Sequence, residues 1–425
     1  MLKVLQIIPT LDQSGAEKQM TLLAVGLPRE EFDVHVAVLT RTGPLAQQLD
    51  AAGIPYTLIN KSLKADPFAY WRLKRLIRKI HPHVVHTWLF AGNSYGRAAA
   101  IACRVPTIFA GERCVDLWKN TGHFLIDRYL AKKTDAIITN SSGVVAFYQE
   151  HGISAETFVT ISNGVMLPDR TADCRQASGK NIDDARDISD IRDRSIEDEK
   201  DFGKLPKLTG DAMKCSNESP KLIDEREKLF CELRLPPSRY LIGMVARLWP
   251  QKRIKEAIWA ADLLKFAGED FHFLILGDGP QREELIRYRN NIGIQDRVHF
   301  LGYRNDVPRF LPYLDMLWNT SEYEGQSNSI LEAMSYGVPA IASDIPGNRD
   351  LVVDGSTGFL IPEHEGDFRR RSRDLVKRTT LLFGDAAKRT QLGQAAKQRV
   401  AEHFTVEQMI SRHAELYRQT AATKK

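Results

Sequence analysis

No stretch of the chain approaches the roughly 20 consecutive apolar residues that a bilayer-spanning helix needs. Nor does any segment recur at the ~20–50-residue period of solenoid and propeller arrays. The five cysteines, at 103, 114, 174, 215 and 231, are odd in number and never spaced C-x-x-C. That argues against a disulfide framework or a zinc site and fits a reducing cytoplasm. Residues 1–18 hold one short apolar run, without the longer apolar region and small-residue cleavage pattern of a secretory leader. The expected location is the cytoplasm, extending to the inner face of the plasma membrane. Charge of one sign is scarce as well: 59 Lys and Arg stand against 54 Asp and Glu, a net +5. So small an excess gives no footprint for nucleic acid, and none is expected as a partner.

What is present is an ordinary globular composition, 43% hydrophobic and 27% charged over 425 residues, long enough for two domains each with its own core. Short β-rich runs (KVLQIIP, FDVHVAVLT, PHVVHTW, VPTIFA, DAIITN, TFVTIS) alternate with helical stretches. The alternation restarts at Tyr240 with YLIGMVA and continues through FHFLILG, RVHFLG, DMLWNT, VPAIAS and GFLIP. Such alternation predicts βαβ units and hence two doubly wound, parallel-sheet α/β domains. The expected division is 1–168, then a linker insertion at 169–220, a second domain at 221–403, and a C-terminal helix and tail at 404–425 that packs back toward the first domain. The insertion carries 10 Lys and Arg and 13 Asp and Glu, too little apolar surface to offset its ordering entropy. Residues 1–168 hold 18 Lys and Arg against 13 Asp and Glu. Within them, WRLKRLIRKI at 71–80 interleaves Arg72, Lys74, Arg75, Arg78 and Lys79 with apolar residues. It reads either as a crossover helix with a solvated cationic face or as a helix lying on an anionic membrane.

The richest stretch is SEYEGQSNSILEAMSYGVPAIAS, residues 321–343. A strand ends, a glycine-containing turn follows, and a helix begins near Ser329. Unpaired N–H groups and the positive dipole end at such a helix start suit a phosphate or diphosphate. Glu324 before the turn and Glu332 in the first helical turn could place two carboxylates in one cleft. Ser329 and Glu332 also fit a capping box, which would use up Glu332 on backbone, and Glu324 could be a plain loop acid.

This stretch resembles the E-x7-E signature of glycosyltransferase family 4, retaining transferases of the two-domain GT-B fold, and the likeness extends from the first strand to the last helix outside 169–220. The resemblance implies that Glu324 lies beside the transferred sugar and the diphosphate, and that Glu332 accepts from the ribose hydroxyls. Gly325, Gln326, Ser327 and Asn328 would offer amides to phosphate and sugar. GMVARLWPQKRIKEAI, residues 243–258, is similar to the family stretch whose two cations grip the diphosphate. Those cations match Arg247 and Lys252, with Arg253 where the family has glycine. Charge building on a departing diphosphate is what fixed cations stabilise, and the resemblance implies that they stand in for a metal. No metal ion or cofactor is expected, and the nucleotide-sugar is a substrate. PTLDQSGAEKQM, residues 9–20, resembles the glycine turn after the first strand, with Gly15 open to phosphate approach. On its own it is a simple βα connection. Gly277, Gly279 and Pro280 are read as turn formers.

The acceptor side departs from the family pattern. His86, in HTW, stands where H-x-H is frequent, and Glu112, Arg113 and Asp116 occupy the place of a catalytic-face histidine. These four are the acceptor-side candidates, with packing at a strand end the competing account of His86. The function expected is transfer of a sugar from a nucleotide-diphosphate-sugar to a glycan or lipid-linked acceptor in cell-surface polysaccharide or glycolipid synthesis, with peripheral contact to anionic membrane. A non-hydrolysing sugar-nucleotide epimerase and a catalytically silent nucleotide-sugar-binding subunit are the alternatives.

Overall fold

Apolar runs alternating with amphipathic stretches give two wound sheets in the computed structural model, which describes residues 1–63, 65–168 and 225–424. The first half runs β1 (Leu2–Thr10), α1 (Gly15–Gly26), β2 (Phe32–Arg41), α2 (Ala46–Ala51), β3 (Tyr56–Leu58), α3 (Pro67–Ile80), β4 (Val84–Trp88) and α4 (Leu89–Ala102). It continues through β5 (Thr107–Glu112), α5 (Thr121–Ala131), β6 (Ala136–Thr139), α6 (Ser142–Glu150) and β7 (Phe158–Thr160). After α7 (Glu225–Glu232) come β8 (Tyr240–Val245), α8 (Ile254–Phe266), β9 (Phe271–Leu276), α9 (Arg282–Asn291), β10 (Val298–Gly302), β11 (Met316–Asn319) and α10 (Asn328–Ser335). Then follow β12 (Ala340–Ser343), α11 (Pro346–Arg349), β13 (Gly358–Ile361), α12 (Phe368–Gly384), α13 (Ala386–His403) and α14 (Val406–Ala422).

The chain divides into one unit of Met1–Leu167 with Ser238–Lys425 and another of Pro168–Pro237, of which α7 is a described part. The charged segment 169–220, for which an insertion was expected, lies outside the described residues. Within the first unit, seven parallel strands lie in the order β3-β2-β1-β4-β5-β6-β7 and six in the order β10-β9-β8-β11-β12-β13. Among the described residues no helix is long and apolar enough to cross a membrane.

Strand alternation divides the core of the first sheet between its faces. Val4 and Ile8 of β1 pack with Met20 and Leu23 of α1 and with Met409, Ala414 and Tyr417 of α14. Leu5 and Ile7 point the other way, onto Leu73 and Ile77 of α3 and Ala99 of α4. The chain's last helix is thus part of the first sheet's core, entered where Val165 N–H donates to Phe404 O at 2.9 Å. Tyr417 there accepts from Gln6 Nε2 at 3.2 Å and lies 2.6 Å from His86 Nδ1.

Candidate active site

Strand order reverses between β1 and β4 in one sheet and between β8 and β11 in the other. Ligand crevices open at the carboxyl ends of strands beside such reversals. The residues singled out from sequence gather at those ends: Gly15 follows β1, Arg247 and Lys252 follow β8, and Glu324 follows β11.

The turns after β8 and β11 are tied together by backbone. Thr320 Oγ1 donates to Lys252 O at 2.8 Å, and Glu322 N–H donates to Gln251 O at 2.8 Å. Asn319, at the end of β11, shapes the loop from within. Its Nδ2 donates to Ser327 Oγ at 3.1 Å, and its Oδ1 accepts from Ser321 N–H at 3.3 Å. On this frame Lys252 forms an ion pair with Glu324, whose Oε1 also accepts from Ser321 Oγ at 2.8 Å. Arg247 is exposed beside them, its guanidinium 5.6 Å from the centre of the Trp249 ring. Arg253, where the resemblance expects glycine, has φ of 47°, the left-handed region that glycine enters without steric cost. Its guanidinium is held by Glu363 at 2.6 Å and Glu322 at 3.1 Å, contacts that offset the backbone cost.

Helix α10 starts at Asn328 with Ser327 as a cap whose side chain bonds no helix amide. Among the described residues, none accepts from the backbone N–H groups of Gly325, Gln326, Ser327 or Asn328. These amides form the positive end of the helix. The capping-box alternative for Glu332 is not realised. Helix α10 begins one residue before Ser329, so Glu332 falls at its fifth position, in the second turn. Its carboxylate leaves the helix to pair with Lys18 of α1.

Gln326 and Asn328 differ from the expectation in one respect: their side chains face the first sheet's loops. Asn163 N–H donates to Gln326 Oε1 at 2.8 Å, and Asn163 Nδ2 donates to Asn328 Oδ1 at 2.8 Å. Asn328 Nδ2 in turn donates to Gly15 O at 3.2 Å. Gly325 is required as glycine, since a Cβ there would lie 2.1 Å from Arg113 O. At Gly15 a Cβ would meet only Asn328 Nδ2 at 3.3 Å, a contact a side-chain amide can relieve.

The four acceptor-side candidates separate by strand parity. His86 shares a face of β4 with Val84 and Trp88 and is 0% exposed beneath α14. Burial, then His413 and Arg113, hold its pKa well below that of a free imidazole. It is a packed core histidine and does not reach a cleft. Arg113 is buried on the same side, its guanidinium 4.5 Å from the centre of the Trp88 ring and donating to Ile161 O at 3.3 Å. Burial lowers its pKa to about 10.

Glu112 points to the opposite face, into a charge cluster. Lys119, fully covered, lies 3.0 Å from Asp127, 3.2 Å from Asp116 and 3.5 Å from Glu112. Arg97 pairs with Asp127 at 2.7 Å, and Asn93 Nδ2 donates to Glu112 at 2.8 Å. Burial pushes the Glu112 pKa up to about 7; Lys119 works against this, while Asp127 and Asp116 add to it. Of the four candidates, Asp116 alone keeps an appreciable opening, with an 18% exposed side chain. The Cys114 thiol lies between the two sides. Its pKa is pushed up to about 12 by burial, then by the carboxylates of Glu324 and Asp116, against the pull of Lys252 and Arg247.

Sequence reasoning missed Lys18, Asn163 and the Lys119 cluster. Lys18 lies inside a segment singled out for its glycine, but nothing in its spacing shows that it meets Glu332. Chemically, two cations, a set of helix-start amides and two carboxylates can hold a diphosphate and a polyol together, with an acid on the facing wall. Among the described residues no three His, Cys, Asp or Glu side chains gather as a metal site would require.

Comparison with known proteins gives concordant matches. Residues 13–167 match Glycosyltransferase Family 4, and residues 225–399 match Glycosyl transferases group 1. The chain is 28% identical over 379 residues to an Escherichia coli UDP-Gal:alpha-D-GlcNAc-diphosphoundecaprenol alpha-1,3-galactosyltransferase, covering 85% of this chain and 84% of that one. It is 30% identical over 203 residues to N-acetyl-alpha-D-glucosaminyl L-malate synthase of Bacillus anthracis, covering 46% of this chain and 51% of that protein. HepE of Anabaena, solved in complex with UDP and glucose, superposes with a TM-score of 0.76 at 18% identity over 99% of this chain and 100% of its own. The likeness to HepE is one of fold.

Proposed function

The chain belongs to glycosyltransferase family 4 and is a glycosyltransferase; from that premise we propose that it moves a sugar from a nucleoside diphosphate donor to a lipid-linked or polysaccharide acceptor of the cell surface, with retention of configuration and without a metal ion. The observation that carries the reading is the pairing of Lys252 with Glu324 beside Arg247 and the open amides of α10.

In this reading Arg247, Lys252 and the amides of Gly325, Gln326, Ser327 and Asn328 take up the charge that builds on the diphosphate as the glycosidic bond breaks. Glu324 positions the sugar. Glu332 accepts from the ribose hydroxyls, with Lys18 sharing or giving up that carboxylate as the nucleoside enters. The acceptor hydroxyl approaches from the side of Asp116 and attacks the anomeric carbon on the face the diphosphate leaves. Its proton passes to a departing phosphate oxygen.

The similar E. coli enzyme acts on a diphosphoundecaprenol and takes UDP-Gal, and HepE binds UDP, which favours a uridine donor and a polyprenyl-linked or polysaccharide acceptor. The basic outer face of α3, with Arg75, Arg78 and Lys79 exposed, suits peripheral attachment to the inner, anionic leaflet.

A thermal-shift panel of nucleoside mono- and diphosphates and their sugars tests this. Ligand at a hundred times its Kd adds about 2.7 kcal/mol to the folded state, a readable rise in midpoint. Diphosphates of one base and their sugars are expected to raise the midpoint most. A flat response across the whole panel rejects the reading.

A further inference from the structure

Leu117 and Trp118, in the loop after β5, and Leu125, Ile126 and Tyr129, on α5, are all 47–60% exposed. On the helix these three form the outer face, while Phe124, Asp127, Leu130 and Ala131 face inward. An exposed apolar helix face of this kind, with an exposed Trp three residues before the helix, marks an interaction site. Its composition points to a particular occupant. Trp and Tyr combine an apolar body with a polar end, as residues at a membrane interface do.

The exposed charge on α5 and just after it has one sign. Lys132 and Lys133 are exposed and Arg128 is half-buried, whereas the acid of α5, Asp127, is 1% exposed and paired with Arg97 and Lys119. The patch therefore offers cations and apolar groups together, with no exposed carboxylate on α5. It also joins the candidate site. Trp118 Nε1 donates to Asp116 Oδ1 at 3.2 Å, and the indole is held edge-on by Phe90 at 5.1 Å and His123 at 5.3 Å. Helix α4 packs between α5 and α3, and α3 exposes Phe68 and Trp71 beside its own cations. The charged segment 169–220, with Phe202 as its single aromatic, has little apolar surface with which to cover such a face.

We propose that the 117–129 face is where the enzyme rests on an anionic lipid bilayer, with Trp118, Leu125, Ile126 and Tyr129 entering the headgroup region. A lipid-carried acceptor then meets the site at its membrane side, past Trp118 and Asp116. The purpose given to this surface rests on the acceptor class proposed above; the surface itself is tested without turnover.

The full chain is sedimented with phosphatidylcholine vesicles with and without phosphatidylglycerol. Wild type binds the anionic vesicles. Combining Leu125→Ser, Ile126→Ser and Tyr129→Ser lowers that binding at least tenfold, because the apolar contribution is removed. Combining Lys132→Gln with Lys133→Gln weakens it about tenfold or more, at about 1 kcal/mol per cation. The latter pair is exposed and leaves folding intact, so the proposal stays testable if the triple variant misfolds. Wild type failing to bind, either variant binding like wild type, or a wild-type dimer that the triple variant dissolves would each overturn it. The nucleoside diphosphate shift, measured on the same samples, separates any such failure from failure of the transferase reading.

Discussion

Replacing Arg247 and Lys252 together by Gln is expected to lower kcat by about 10³-fold or more, a loss beyond the fall in stability expected where Glu324 is left without its cation. Removing a single donor from a site where transition-state charge develops costs about 10²–10³ in rate, and here two ionised donors are removed. In the proposed mechanism their effect falls on kcat, because the diphosphate gains charge as the glycosidic bond breaks. Arg247 is exposed and braces no core element, so its loss leaves the fold standing. Lys252 is pinned through its carbonyl by Thr320, and that bond survives the substitution. The single variants should each lose less than the pair, and not additively, since both act on one leaving group. The measurement is steady-state transfer with the donor that the thermal-shift panel selects.

The largest stability effect is expected at Lys119. Its ammonium is fully covered and holds Glu112, Asp116 and Asp127, so Lys119→Met leaves three acids facing Arg97 alone. Breaking one side of a buried ion pair costs about 3–5 kcal/mol, and that is the loss expected in denaturant unfolding. The pH dependence follows from Glu112, whose folded pKa is raised to about 7 from 4.5, chiefly by burial. A carboxyl with a raised folded pKa binds its proton more tightly in the native state. Its contribution is full below about 4.5 and is lost as pH climbs through about 7. Wild type should therefore lose stability between those values. In Lys119→Met the opposing cation is gone, so the decline should extend to higher pH and the variant should lie nearest wild type in mild acid. A variant whose deficit is equal at all pH values would show that Glu112 does not titrate with the fold.

Much of the architecture was legible because parallel strands buried on both faces read as apolar runs, and nearly every strand carries one. The exception is β3, three residues at the sheet edge, whose Tyr-Thr-Leu is too short to form a pattern. The grouping of Arg247, Lys252, Glu324 and Glu332 was legible because they come in two short segments that follow β8 and β11. Whether Glu332 caps its helix or leaves it depended on Lys18, more than three hundred residues away, and spacing cannot show that. The acceptor side was harder for two reasons. His86 lies on a strand buried on both faces, so it meets core whichever way it points, and what separates it from a cleft residue is the cover of α14. Parity sends Glu112 and Arg113, adjacent in sequence, to opposite faces of the sheet. The Lys119 cluster draws on α4, β5, α5 and the loop between the last two, and only the fold brings those together.

Calorimetric titration of a nucleoside diphosphate against its monophosphate, in wild type and in the Arg247→Gln/Lys252→Gln variant, tests the central claim most directly. The wild-type protein should prefer the diphosphate by about tenfold or more, since each charge-assisted hydrogen bond contributes about 1.5–3 kcal/mol. The double variant should lose most of that preference while still binding the nucleoside. A preference for the diphosphate that survives intact in the variant would contradict the account.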